Sequence, residues 1–402
     1  MAADAGGDPS STPRPLVVLQ VRSSPGLHGP ERTLLELAPA LDALRVRVPL
    51  LALYRPGPDD PPEHPLVAAM RSAGLEAVSA RDPGPLHPAA WRELARRLAA
   101  SDLDAVHTHD YKSDLLVALA RRRGARLPWV STVHLHTGTS PRLRFYGRLA
   151  LAAVRGADRV VVVSEAQAAA LAASGFRRSR LALVRTAIDA DAVVRAARRD
   201  GGAAGARARA RVPAGAPLVL IVARLTRQKG VDVALRALSQ VRLAVPEATL
   251  VVVGDGPEAA QLAALAEALG VADAVRWVGH LANPLPLLAA ADVVIMPSRA
   301  EGLPRVALEA GALARPLVAS SVGGLPEAVL HGTTGLVVPP DDPNALASAL
   351  VGLLQDAPAA RRMGSGAAEH VRARFALAGA ALALAGVYRG AIGLAREVTG
   401  DD

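Results

Sequence analysis

Two cations, Arg224 and Lys229, follow an apolar run, with Gly230 directly behind them. Farther along stand two carboxylates, Glu301 and Glu309, with seven residues between them. Fixed cations at the mouth of a strand suit a diphosphate. A departing diphosphate gains negative charge in the transition state, so such cations lower the barrier. Of the 46 basic residues 44 are arginine, and only Lys112 and Lys229 are lysine. A lysine kept in that background points to a task for a compact ammonium rather than a planar fork. Glu301 is expected in the loop Pro297-Ser298-Arg299-Ala300-Glu301-Gly302-Leu303-Pro304, ahead of a helix that carries Glu309. Carboxylates there accept hydrogen bonds from sugar hydroxyls, and the free amides of Gly302 and Leu303 can face a phosphate. Favourable interaction with the helix dipole is the plainer account of Glu301. Glu309 lies among Val306, Ala307, Leu308 and Ala310, where a carboxylate needs partners, and a ribose diol would supply them. Between these sites, Gly254-Asp255-Gly256-Pro257-Glu258 reads as a strand-to-helix turn with Pro257 at the first helical position, either contacting a ligand or only shaping the chain.

Elements must hold these residues in place. Strands are expected at 16–21, 46–53, 105–107, 129–133, 159–163 and 181–184, then at 218–223, 249–253, 274–278, 293–296 and 317–319. Continuous apolar strands separated by helices argue for parallel sheets covered on both faces. The series runs twice, so the fold class is α/β, with two doubly wound domains facing each other across a cleft lined by the carboxyl ends of their strands. The 402 residues suit two domains. The expected division is a tail at 1–14, a first domain at 15–197, a Gly/Ala/Arg-rich connection at 198–217, a second domain at 218–374, and a last helix within 375–402 packing back on the first domain.

The ordered set is Arg224 to Lys229-Gly230, the Gly254 turn, Glu301-Gly302-Leu303-Pro304 with Glu309, Val322-Gly323-Gly324-Leu325-Pro326-Glu327, and Gly335-Leu336-Val337-Val338-Pro339-Pro340. It resembles the family 4 retaining glycosyltransferases, densely over 216–345 and more loosely upstream. The resemblance implies the GT-B fold, two Rossmann-like domains with the active site between them. It implies that Arg224 and Lys229 bind the donor diphosphate, Glu301 the transferred sugar and Glu309 the ribose. Gly302, Leu303 and Pro304 would line the sugar-phosphate pocket, with Gly254 beside the donor, and Trp277 and Gly279 would pass near the nucleobase. The implied reaction moves a sugar from a nucleotide-diphosphate sugar to a hydroxyl acceptor with retention, by front-face attack assisted by the leaving diphosphate. No metal cofactor is implied. A nucleotide-sugar epimerase and a non-catalytic nucleotide-sugar-binding protein are the alternatives.

The first half carries the acceptor side and two departures. Pro25-Gly26-Leu27-His28-Gly29-Pro30-Glu31 looks like the family's Gly-Gly-x-Glu loop, with Gly29 near the sugar phosphate, but His28 replaces the first glycine. Val184-Arg185-Thr186-Ala187-Ile188-Asp189 stands where the family shows Pro-Asn-Gly-Ile-Asp. Thr186 and Ala187 there replace a pair suited to left-handed conformations, so either the turn has changed shape or the acceptor differs. The pairs His107 and His109, and His134 and His136, end strands with both members on one face. With Asp110 they resemble metal ligands, but the family pattern accounts for both segments and no metal is assigned. His134 is the candidate to touch the sugar or orient the acceptor. His109, Asp110 and Lys112 are acceptor-side candidates.

Composition narrows the rest. There is no cysteine, which excludes disulfides, thiolate metal sites and cysteine nucleophiles. The apolar uncharged run 375–388 is shorter than a membrane span, so a soluble cytoplasmic chain is expected, peripheral at most at the inner face of the membrane. Residues 1–200 carry 28 Lys+Arg against 20 Asp+Glu, a net of +8, which leaves +1 of the total +9 for the remainder. Aromatic content of 2% leaves few stacking platforms for nucleic acid. The anionic partner expected for the basic half, with Arg121 to Arg123, Arg142, Arg144, Arg148 and Arg155, is a membrane surface or a lipid-linked acceptor.

Overall fold

The computed structural model describes residues 14–24, 26–57, 60–82, 84, 87–134 and 141–399, with backbone alone at 141–144 and 396–399. The expected tail up to residue 13, Pro25 and His136 lie outside these residues.

Two sheets organise the chain. The first holds β1 (Leu16–Ser23), β2 (Val46–Arg47), β3 (Leu50–Tyr54), β4 (Ala77–Arg81), β5 (Ala105–Thr108), β6 (Trp129–Thr132), β7 (Arg159–Val162) and β8 (Leu181–Leu183). Its order is β4-β3-β1-β5-β6-β7-β8, with the short β2 beside β1. The second holds β9 (Leu218–Val222), β10 (Thr249–Val253), β11 (Val275–Gly279), β12 (Val293–Met296), β13 (Leu317–Ser320) and β14 (Gly335–Val338), in the order β11-β10-β9-β12-β13-β14. The pairings of β9 with β10 and β12, and of β1 with β3 and β5, are parallel. This is the expected α/β class with two Rossmann-like sheets. Strand order reverses at β1 and β5 in one sheet and at β9 and β12 in the other, the positions where open α/β sheets bind ligands beyond their carboxyl ends.

Burial explains the unbroken apolar strands. Leu218 and Leu220 pack with Val251, Val294 and Met296 on one face of the second sheet. Val219 and Ile221 pack with Leu250, Val252 and Ile295 on the other. A strand covered on both faces has no position for a polar alternation. The run expected as one strand at 46–53 is two, because Pro49 has no N–H to give a ladder, although its carbonyl accepts from Gln20 N at 2.8 Å. The strands β4 and β14 were not expected. Both are sheet edges, one small and partly polar, the other opened by a glycine.

The chain forms two compact units. One holds the described residues up to Thr132, with Leu149–Val160 and those from Leu384 onward, and the other those of Val133–Arg148 and Val161–Ala383. The segment expected as a connection at 198–217 contains the helix Gly202–Arg209, whose Ala206 joins the core and whose Arg207 Nη1 donates to Ala290 O at 3.1 Å. The last helix is Leu377–Thr399. Over Leu377–Ala395 its length and mean hydropathy of 1.5 suffice to cross a membrane, unlike the expectation from the uncharged run, because only Arg389 interrupts it. Ala381, Leu384, Ala385, Tyr388, Ala391 and Ile392 are buried at helical spacing, so one face packs inside the protein.

Candidate functional site

The loops after β9 and β12 are neighbours because strand order reverses there. Gln228 joins them twice. Its Nε2 donates to Ala300 O and its carbonyl accepts from Arg299 N, both at 2.7 Å. Gly230 has φ +65°, and a Cβ there would lie 2.0 Å from Pro297 O, so only glycine lets the loops approach this closely. The outcome is a contact between two of the expected site residues. Lys229 Nζ donates to Glu301 Oε1 at 2.7 Å, and Ser298 Oγ donates to the same oxygen at 2.7 Å. The side chains are 21% and 6% exposed, so the ammonium of Lys229 reaches the surface while the carboxylate of Glu301 is buried. Glu301 Oε2 has no hydrogen-bond partner among the described residues, and neither has the exposed guanidinium of Arg224.

Arg299 braces this arrangement. Its guanidinium donates to both carboxylate oxygens of Asp232 at 2.8 Å, to Asp341 Oδ1 at 2.6 Å and to Arg227 O at 2.6 Å. Burial pushes the Asp232 carboxyl up, but the hydrogen bonds and charge of Arg299 outweigh it and hold the group below the usual range. Sequence reasoning quoted Arg299 without a role, because its partners are 67 and 42 positions away.

A second glycine contact supports Glu301 from below. Gly323 has φ +53° and a Cβ there would fall 1.8 Å from Glu301 O, while Gly324 N donates to Gly302 O at 2.6 Å. Leu303 is buried in the core and Pro304 precedes the helix Arg305–Ala312. Glu309 is buried on that helix, as expected. The partner it needs comes from one turn earlier, with Arg305 Nε 3.3 Å from its Oε1. Arg305 had not been singled out. Gly254 N donates to Gly279 O at 2.8 Å, and Leu225 N donates to Asp255 O at 2.7 Å, tying the Gly-Asp-Gly-Pro turn to the Arg224 loop. Trp277 stands on the edge strand β11 with 38% of its surface exposed.

This set of residues at a strand-order reversal has relatives. Residues 216–356 match the family model described as glycosyl transferases group 1, and residues 27–192 match that of glycosyltransferase family 4. The glycogen synthase of Mycobacterium tuberculosis is 34% identical over 71% of this chain and 68% of its own length. The chain belongs to the family 4 glycosyltransferases. A GDP-mannose-dependent alpha-(1-6)-phosphatidylinositol monomannoside mannosyltransferase of Mycolicibacterium smegmatis is 38% identical over 62% of this chain and 66% of its own. Among solved structures, HepE of Anabaena in complex with UDP and glucose has a TM-score of 0.78 at 23% identity, covering 92% of this chain and 98% of its own, which shows the GT-B fold. This protein is therefore a retaining glycosyltransferase acting on a nucleotide-diphosphate sugar.

The first-sheet residues of the glycosyltransferase are organised differently. His28 has φ −103° and ψ −167°, extended backbone that any residue adopts, so replacing glycine there brings no strain. Its N–H donates to Glu31 Oε2 at 3.0 Å, and Gly29 opens the helix Gly29–Asp42. Burial raises Glu31, but Arg22, whose Nε donates to Glu31 Oε1 at 2.7 Å, brings the carboxyl below its usual range. Asp110 caps the helix Tyr111–Arg122, accepting from Lys112 N and Ser113 N at 3.0 Å, and its other oxygen accepts from Ser23 N at 2.7 Å. Lys112, expected as an acceptor-side cation, is buried instead, and its ammonium donates to Asp82 Oδ2 and to Gly84 O. It folds inward because Asp82, just after β4, offers it a carboxylate partner.

His109 Nε2 meets Gln20 Oε1 at 2.8 Å, and His107 bridges Tyr388 OH at 2.8 Å and Thr132 Oγ1 at 2.7 Å. Nearby, Asp114 accepts from Thr108 Oγ1 at 2.5 Å and Ser131 Oγ at 2.8 Å, and burial pushes its pKa up to about 8. His134 is half-buried just after Val133, whose carbonyl accepts from Gln167 Nε2 at 2.6 Å. The left-handed pair expected to be lost at Thr186 and Ala187 is indeed absent, since neither has a positive φ.

Proposed function

We propose that Glu301, Lys229 and Arg224 form the donor side of the transfer, with Glu309 toward the ribose and His134 toward the sugar or acceptor. The observation that carries this reading is the shared oxygen of Glu301, which Lys229 and Ser298 both contact at 2.7 Å, with Arg224 exposed earlier in the same loop as Lys229 and without a hydrogen-bond partner among the described residues. A diphosphate bearing two negative charges would draw Lys229 and Arg224 to itself and leave Glu301 to accept from sugar hydroxyls. The acceptor hydroxyl attacks the anomeric carbon on the face that the diphosphate leaves, and the departing phosphate oxygen takes its proton. Fixed cations supply the charge that the leaving group needs, so activity should survive chelation of divalent ions. Gly254, Gly302, Leu303, Pro304, Trp277, Gly279 and Gly29 are proposed around the donor. His109 and Asp110 are proposed as supports of the acceptor side, with Lys112 holding Asp82 and Gly84.

The test is hydrolysis of a panel containing UDP-glucose and GDP-mannose, read as release of nucleoside diphosphate. Glu301→Ala and Lys229→Ala should each lower kcat by about 100-fold or more. Full activity in either variant removes the assignment. Interconversion of sugars would favour an epimerase, and silence with every donor a binding protein.

We propose an anionic, lipid-linked acceptor met at the inner face of a membrane. On the helix Pro141–Val154, Phe145 is 64% and Leu149 45% exposed beside the exposed Arg148, a basic amphipathic surface of the kind that rests in a lipid interface. Cosedimentation with phosphatidylglycerol vesicles but not with phosphatidylcholine ones, reduced in Phe145→Ser, is the expected outcome. Equal partition to both would count against it.

A further inference from the structure

The turn that departs from the family pattern, Val184-Arg185-Thr186-Ala187, is given no task by the donor reading. Its arginine has one. Arg185 Nε donates to Glu327 Oε2 at 2.9 Å, and its Nη2 lies 3.2 Å from Glu165 Oε1. The other carboxylate oxygen of Glu327 accepts from Glu165 N at 2.6 Å, at the start of the helix Glu165–Ala173, where the helix dipole favours an anion. The carbonyl of Glu327 meets His370 Nε2 at 2.8 Å. Glu327 is thus held at both its side chain and its backbone.

What Glu327 holds is the turn under Glu301. It lies in the short helix Leu325–Ala328, directly after Gly323 and Gly324. Gly323 packs so closely on Glu301 O that no Cβ fits, and Gly324 N donates to Gly302 O at 2.6 Å. A Cβ on Gly324 would also fall 2.9 Å from Ser164 Cβ, the residue capping the same helix that Glu327 abuts. A shift of Glu327 therefore moves the Gly323 and Gly324 backbone, and with it the carbonyls of Glu301 and Gly302.

We infer that Arg185 is a positioning residue for sugar transfer: by gripping Glu327 it fixes the Gly323-Gly324 turn, and through that turn the carboxylate of Glu301. The inference rests on the donor-side reading of Glu301. The side-chain contacts of Arg185 are to Glu327 and Glu165, and the donor reading assigns it none to the diphosphate. Its loss should therefore lower turnover without weakening nucleotide binding. Small misplacements of a reacting group cost up to about 100-fold.

The experiment compares the parent chain with Arg185→Gln, Arg185→Lys, Glu327→Gln and the double variant. The readouts are donor hydrolysis with the most active sugar nucleotide of the panel, Kd for UDP and GDP by calorimetry, and Tm. The expected result for Arg185→Gln is a fall in kcat of about 10-fold or more, with nucleoside diphosphate Kd unchanged within about twofold. Arg185→Lys should recover part of the rate. The double variant should be no worse than the poorer single one, because both remove one interaction. Parent kcat in Arg185→Gln overturns the inference, and so does a loss confined to Kd or explained by unfolding at the assay temperature. Glu301→Ala is the control. If it keeps full activity the donor-side reading fails, whereas an inactive Glu301→Ala beside a fully active Arg185→Gln sinks only this proposal.

Discussion

The loops beyond the second sheet and those beyond the first use charge in opposite ways. In the second, the part-exposed Lys229 meets Glu301 on turns that glycine alone can build, and Arg224 stands exposed with no hydrogen-bond partner among the described residues. In the first, Lys112 is closed onto Asp82, Asp114 onto two hydroxyls, and His107 onto Tyr388 and Thr132. A charge at an opening can change partners when a ligand arrives. A buried one cannot without exposing an uncompensated group. The carboxylates of the two pairs are equally buried, Glu301 at 6% exposure and Asp82 at 7%, and it is the lysines that differ, Lys229 at 21% and Lys112 at 7%.

Breaking the open side at its tightest turn should have the largest effect. Gly323→Ala forces a side chain into a left-handed φ of +53° against a backbone carbonyl 1.8 Å away. Strain and displacement together should cost about 3 kcal/mol or more and abolish transfer, because Glu301 must move. Urea denaturation and donor hydrolysis read the two effects. An active, equally stable variant would mean that the turn relaxes freely and the comparison is too rigid.

On the closed side, Lys112→Met should leave Asp82 buried and unpaired, with Oδ1 already lacking a partner among the described residues. A loss of about 3–5 kcal/mol is expected, with the UDP and GDP affinities of the folded protein unchanged. Unaltered stability with impaired transfer would return Lys112 to the acceptor side.

The smallest effect concerns Asp114 and sharpens the contrast through pH. Its pKa is pushed to about 8 in the fold, above the value near 3.9 of an unfolded aspartate. The folded chain therefore keeps a proton that the unfolded chain releases. Stability is full below the unfolded value and declines as pH rises toward about 8. Asp114→Asn removes this dependence while keeping an acceptor for Thr108 and Ser131, so its Tm should exceed that of the parent by more at pH 8 than at pH 5. A constant offset across that range would show that Asp114 is already ionised.

The sequence pattern carried much of this. Apolar runs located the central strands, because a strand buried on both faces must be apolar throughout, whereas β4 and β14, at the edges, escaped that pressure and that reading. Lys229 and Glu301 each stood out in the sequence, and their contact did not, since nothing in a chain shows that two positions 72 apart meet. The braces Arg299 and Arg185 were hidden for a related reason. Arginine is so common here that residue type carries little information, and only their partners' positions distinguish them. Lys112 misled for the converse reason, because a rare residue drew attention that its burial does not support.

The hydrogen bond from His107 to Tyr388 joins positions 281 apart in the chain. A ribosome adds about 5–20 residues per second, so His107 would be made roughly 15 to 55 s before the tyrosine that completes its polar contacts exists. During that interval His107 and Gln20 face neighbours that are still unmade. The polar network of His107 and Gln20 is therefore complete only once the chain around Tyr388 has been made.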